Sequence, residues 1–180
     1  LNFIQDEIFF LPNRLEPFIL LKPGQRYNPL KSKYTSRRLT SIGTYKFVNI
    51  NYKELDSIGS DSLRVRYLDA VISLSPLTKR SIQAELQGVT KSNNFTGPSI
   101  GVSYLNRNVF KGGENFSAKG SIGYEKQFGN NTSGSNSLQL GLSATMNYPR
   151  LIFPGNLDKL FKYSVPNTRV KIGIDHFRRS

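Results

Sequence analysis

Cysteine and tryptophan are absent from these 180 residues, and histidine and methionine occur once each. Without cysteine there is no disulfide framework and no thiolate metal or redox site, although the absence assigns no compartment. The lone His176 has no second imidazole to complete a metal site, and its place beside Ile172 and Ile174 marks it as a packed or interfacial side chain. No run of eighteen apolar residues occurs, which excludes a transmembrane helix. A transmembrane barrel stays open, because each of its strands needs only about 9 to 11 alternating residues. No Gly-rich phosphate loop, nucleophile elbow or paired-carboxylate spacing is visible, so the expectation is a protein that is not an enzyme and uses no cofactor or metal. The chain starts at Leu1 without a basic and apolar leader, and any signal peptide is expected to have been removed or to lie outside it.

Acidic residues are scarce as well. Twelve of them against 25 Lys and Arg leave a net charge of +13, enough to raise nucleic acid as a partner. The distribution argues against it: basic residues are scattered, and only Arg37 with Arg38 and Arg178 with Arg179 form adjacent arginine pairs. Residues 1–76 hold 11 basic and 7 acidic side chains, whereas residues 77–180 hold 14 and 5. The excess follows the second part, where polar strand faces would line a lumen or meet anionic head groups.

That second part is organised around Lys79 to Glu125, where apolar and polar residues alternate through three segments separated by Asn- and Gly-rich turns. Ile82, Ala84, Leu86 and Gly88 share one face of the first segment, and Ser81, Gln83, Glu85 and Gln87 the other. Ile100, Val102 and Tyr104 oppose Ser99, Gly101 and Ser103 in the second. Phe116, Ala118, Ile122 and Tyr124 oppose Ser117, Lys119, Ser121 and Glu125 in the third. Leu138 to Asn147 and Val170 to Asp175 repeat the pattern, giving five amphipathic strands. Closed bacterial barrels need about eight or more, so the five belong to a longer barrel or form an open sheet that needs a partner. Glu85, Glu114 and Glu125 fall on different strands or turns and read as lumen polarity.

Residues 1–76 read differently. Leu1 to Phe10 has the apolar content of a short strand, and Asn13 with Glu16 offers a capping box for a short helix carrying Leu15, Phe18 and Ile19. A better helix is capped by Asn28, begins with Pro29, places Thr35, Leu39 and Ile42 on one face and ends at Gly43. Two strands follow, one alternating Tyr45, Phe47 and Asn49 with Lys46, Val48 and Ile50, the other from about Leu63 to Leu74 and ended by Pro76. The expected fold is therefore α+β over residues 1–76, then antiparallel barrel strands over 77–180 forming an incomplete all-β barrel, with Leu77 and Thr78 as a short, stiff linker.

The run IQAELQGVTKSNNFTGPSIGVSYLNRNVFKGGE resembles the first barrel strands of the BamA/TamA outer-membrane assembly-factor superfamily, especially its TamL-like branch. KPGQRYN, TSRRLTSIGTYKFVNINY and LDAVISLSP resemble the last POTRA domain before the barrel in that family. The resemblance covers about Phe10 to Ser180, and order and spacing carry it more than any single word. It implies an outer-membrane protein of a Gram-negative cell, with its POTRA domain in the periplasm and, in the complete protein, a 16-stranded barrel.

On that resemblance, Ser81, Ile82, Gln83, Ala84, Glu85, Leu86, Gln87 and Gly88 form the seam strand, which opens to insert or export clients. The plain alternative is an ordinary barrel strand. Asn106, Arg107 and Asn108 with Gly112, Gly113 and Glu114 form a tight periplasmic turn in which both glycines supply positive φ, and Arg107 reaches the POTRA domain, anchors the rim or is simply solvated. Tyr45, Phe47, Val48 and Ile50 are a candidate client-pairing edge, unless that strand is covered. The implied partners are unfolded outer-membrane or surface-exported proteins, the lipid bilayer and accessory assembly-complex subunits, with no nucleic acid. The rival functions are a passive outer-membrane pore or adhesin-like barrel and a soluble, basic nucleic-acid-binding protein.

Overall fold

A computed structural model of the chain describes residues 1–55, 67–92, 94–128, 134–152 and 165–180. The order is α1 (Pro12–Leu15), a 3-10 turn (Glu16–Phe18), α2 (Pro29–Ser41), β1 (Tyr45–Leu55), β2 (Tyr67–Pro76), β3 (Arg80–Thr90), β4 (Phe95–Asn106), β5 (Asn115–Gln127), β6 (Asn136–Tyr148) and β7 (Thr168–Arg179). Among the described residues the strands form two antiparallel sheets, β1-β2 and the five-stranded meander β3-β4-β5-β6-β7. The expected beginning of the second strand, residues 63–66, lies outside the described residues.

The helix α2 forms as its ends dictate. The side chain of Asn28 accepts a hydrogen bond from Leu30 N at 2.9 Å, Pro29 opens the first turn, and Gly43 leaves it at φ +73°. Its inner face carries Thr35 and Leu39, both with no exposed surface. They close over a core of Phe10, Leu15, Phe18, Ile19, Ile42 and Tyr45. Thr35 also fixes the preceding segment, its hydroxyl accepting from Leu20 N at 3.0 Å.

Three expectations for this part are corrected. Leu1 to Phe10 is not a strand: the side chain of Gln5 accepts from the amides of Phe9 and Phe10 and donates to the Phe10 carbonyl, replacing a ladder with a local knot. Asn13 is not a cap, because α1 starts one residue earlier at Pro12 and its N-cap, Leu11, offers no side-chain acceptor. Tyr45 and Phe47 do not share a face, because a bulge between them shifts the register. Tyr45 is buried and Val48 half-buried, while Phe47 is turned out.

The meander follows the alternation in the sequence. Its register aligns whole rows across the five strands: Ile82–Tyr104–Ala118–Ala144–Ile172, Ala84–Val102–Gly120–Leu142–Ile174 and Leu86–Ile100–Ile122–Leu140–His176 on one face. Between them run Gln83–Ser103–Lys119–Ser143–Gly173, Glu85–Gly101–Ser121–Gly141–Asp175 and Gln87–Ser99–Gly123–Gln139–Phe177 on the other. The sheet curls toward the polar face. Arg179 of β7 lies 5.0 Å from the ring of Phe95 in β4, although three strand spacings of a flat sheet amount to about 14 Å. Accordingly Glu125, Ser137 and Gly141 on the concave side are buried.

Candidate functional site

The convex face is apolar and open. Ile82, Leu86, Leu142, Ile172 and Ile174 are each between 68% and 77% exposed, and Ile100, Val102, Ile122 and Leu140 between 40% and 49%. The patch is contiguous across all five strands, and exposed apolar patches of this extent occur at protein, ligand or membrane contacts. His176 ends one of these rows opposite Leu140 and is exposed rather than packed. The strand β3 lies at one edge of the meander among the described residues. On its polar side Gln83 and Gln87 both donate to the carboxylate of Glu85, at 2.9 and 3.3 Å. Gly88 stands in open space opposite Pro98, which has no amide proton. The β4–β5 pairing is interrupted next to it, between Thr96–Lys126 and Ser99–Gly123.

The connection from β4 to β5 is larger than a tight turn. Asn106 ends β4, and residues 107–114 form a folded pedestal docked against Phe9, Leu11 and the end of α2. Asn108 is buried with φ +56°. Its side chain donates to the Phe9 carbonyl and accepts from Gly113 N at 2.9 Å. Lys111 O accepts from Leu11 N at 2.9 Å, and the side chain of Asn115 donates to Ile42 O. Arg107 does not enter the core under α2: its backbone N–H donates to Lys79 O at 2.7 Å and its guanidinium to Thr78 O at 3.0 Å, holding the linker. Leu77 N donates to Thr44 O at 2.8 Å, so the linker is pinned at both ends.

The two glycines serve different needs. Gly113 has φ +86°, and an added Cβ would lie 2.6 Å from Ile42 and 2.8 Å from Pro149. Gly112 is not in the left-handed region, contrary to expectation; positive φ falls on Asn108 and Lys111 instead. Its neighbours are crowded instead: a Cβ there would sit 2.7 Å from both the Arg14 side chain and the Glu114 carboxylate, which would have to shift.

Glu114 is the centre of this junction and does not face a lumen. Its side chain is fully buried; Oε1 accepts from Arg14 at 2.9 Å and from Arg150 at 2.7 Å, and Oε2 accepts from Gly112 N at 3.0 Å. One carboxylate thus ties α1, the pedestal and the segment after β6. Burial alone would raise its pKa, but the Glu114 and Gly112 amides and the Arg150 guanidinium outweigh burial and hold the carboxyl below the ordinary range. Burial likewise pushes the Tyr45 phenol upward, so it stays neutral in the core. Glu125 is a different case again: it sits at the far end of the meander, paired with Lys91 at 2.7 Å.

Sequence reasoning placed Glu114 in the right turn and missed its role, because Arg14 lies a hundred residues away. The available signal was the pair Gly112-Gly113 beside an acid in a strongly basic chain. Of the candidate client-pairing edge, Val48 and Ile50 lie on the half-buried side of β1 while Phe47 is 62% exposed. Among the described residues β1 pairs with β2 alone.

No protein-family model matches the chain, and no curated protein matches it. Among solved structures the chain is similar to the crystal structure of BamA from Haemophilus ducreyi lacking POTRA domains 1–3, at 11% sequence identity and a TM-score of 0.42. The match covers 95% of this chain and 34% of that one, so the chain spans about a third of the solved chain's length.

Proposed function

We propose that the chain is the rim-proximal part of an outer-membrane assembly or translocation factor. In this reading the N-terminal domain is a POTRA domain in the periplasm and the meander is the start of a transmembrane barrel. The observation that carries it is the two-faced curl of the sheet, with an exposed apolar convex face and a polar concave one. Eleven residues of β3 rise about 37 Å, or about 26 Å along the membrane normal at a tilt of about 45°, close to the apolar band of about 25 Å in such barrels. A soluble nucleic-acid-binding sheet would leave that convex face without a partner.

The mechanism is templating without chemistry. The edge strand β3 offers unpaired backbone groups to an incoming client strand, and Gly88, which has no side chain to pack, weakens the strand opposite Pro98. The outer edges of β1 and β2 receive extended clients before they reach the seam. The driving free energy comes from the client's own strand pairing and lipid burial.

Photo-crosslinkers placed at Gln83 in β3 and at Ser121 in β5 of the full-length protein test this in living cells. Adducts with newly made membrane proteins at position 83 and none at 121 are expected. A passive pore or adhesin would give no client adducts at either position, and that result would remove the assembly role while leaving the membrane assignment standing.

A further inference from the structure

The apolar face of the meander is not evenly filled. In the row Tyr104–Ala118–Ala144–Ile172 two alanines stand between two large side chains, and in the next row Gly120 opens the same trough. The result is a groove of about 540 Å³ that runs along β5.

Charge on this face is just as uneven. Along β5, β6 and β7 its basic side chains, Lys126 and Arg178, stand at one end with His176 a row nearer the groove, whereas the other end carries Phe116, Met146 and Val170. All three basic positions are exposed. The Lys126 ammonium lies 6.0 Å over the Phe128 ring, and the Arg178 guanidinium has no hydrogen bond or ion pair among the described residues. No Asp or Glu occupies this face of the five strands. Glu125 and Asp175 alternate onto the concave side, and Glu125 is held by Lys91 at 2.7 Å. The connections at the basic end, residues 91–94 and 128–135, contain no acidic residue, and the β6–β7 connection leaves from the opposite end.

We propose that the groove and its basic end hold one anionic phospholipid, with an acyl chain along Ala118, Gly120 and Ala144 and the phosphate headgroup between Lys126 and Arg178. The site rests on the membrane-spanning reading of the meander. Its dimensions fit a single leaflet: six residues from Gly120 to Lys126 rise about 20 Å, or about 14 Å along the normal at a tilt of about 45°, against about 15 Å for half the hydrocarbon core. The groove therefore lies near mid-bilayer and the cations at one interface. Two strand spacings and one side-chain repeat put Lys126 and Arg178 about 12 Å apart, a span their long side chains close on one headgroup, and both are phosphate-binding types.

The test uses the purified full-length protein in phosphatidylcholine vesicles. Traces of phosphatidylglycerol or phosphatidylcholine, each with a diazirine midway along one acyl chain, are photolysed there and the adducts mapped by mass spectrometry. Each Lys or Arg near the headgroup favours the anionic lipid about fivefold. Phosphatidylglycerol should therefore label Tyr104 and Ile172 about tenfold or more above phosphatidylcholine, with no such preference at Ile82 or Leu86. Lys126→Gln combined with Arg178→Gln should abolish the preference. Ala118→Leu combined with Ala144→Leu, which fills the floor with apolar side chains, should cut the groove adducts several-fold. Labelling spread evenly over the convex face, or equal labelling of the groove by both lipids, overturns the lipid site and leaves the membrane-spanning sheet standing. No adduct on the convex face with either lipid removes the membrane reading and the site with it.

Discussion

Replacing Glu114 with Gln should unlock the junction without unfolding the meander. The carboxylate is fully buried and accepts from two guanidiniums and one amide, and a hydrogen bond to a charged group contributes about 1.5 to 3 kcal/mol. Because both arginines keep about 40% of their side-chain surface in solvent, water recovers part of each lost bond. The net cost is therefore about 2 to 3 kcal/mol, which corresponds to an opening constant about 30 to 150 times larger. Hydrogen exchange reads this directly at the amides of Leu11 and Gly113, which are bonded to Lys111 O and Asn108 Oδ1 across and within the junction. Exchange should accelerate there by one to two orders of magnitude while the β4–β5 ladder keeps its rates. Unchanged rates at Leu11 and Gly113, or an equal rise along β4 and β5, would refute the role given to Glu114.

Glu114 also sets an acid limit. Its carboxyl titrates lower in the folded state than the usual unfolded value of about 4.3, so its stabilisation is complete above that pH and is lost as pH falls through the lower folded value. Exchange at Leu11 should rise on acidification below about pH 4 in the wild type and show no such step in Glu114→Gln. Gly113→Ala should cost about 1 to 3 kcal/mol, because the new methyl meets Ile42 and Pro149 at under 3 Å and φ is +86°; denaturant unfolding of the N-terminal domain measures it. Leu39→Ala, at a position with no exposed surface, should cost about 2 to 5 kcal/mol in the same assay. Phe47→Ala should cost under about 1 kcal/mol while Tyr45→Ala costs several, and equal losses would deny the bulge between them.

The parts of this structure that were legible in the sequence are those where a short-range rule decides. A period of two fixed the faces of β3 to β7, because one face must be uniformly apolar and the other polar. Asn28, Pro29 and Gly43 marked both ends of α2, because capping needs only neighbours. Long-range contacts were not legible. Leu1 to Phe10 has strand-like composition, yet Gln5 satisfies its backbone locally and Phe9 and Phe10 turn onto Tyr45, each ring centre 6.0 Å away. One inserted residue in β1 moved Phe47 from the core face to solvent, and nothing in YKFVNI announces it. The junction was hidden for the same reason, since Arg14, Glu114 and Arg150 meet only after two sheets and a helix have formed.

The central claim is that the convex face of the meander meets lipid and the concave face does not. These 180 residues contain no cysteine, so single cysteines can be introduced along the rows and labelled with a polarity-sensitive dye in vesicles carrying a lipid-attached quencher. Dyes at positions 82, 142 and 172 should be strongly quenched, and dyes at their neighbours 83, 143 and 173 should not. Equal quenching of both sets, or quenching of neither, would contradict a membrane-spanning sheet and return the meander to water.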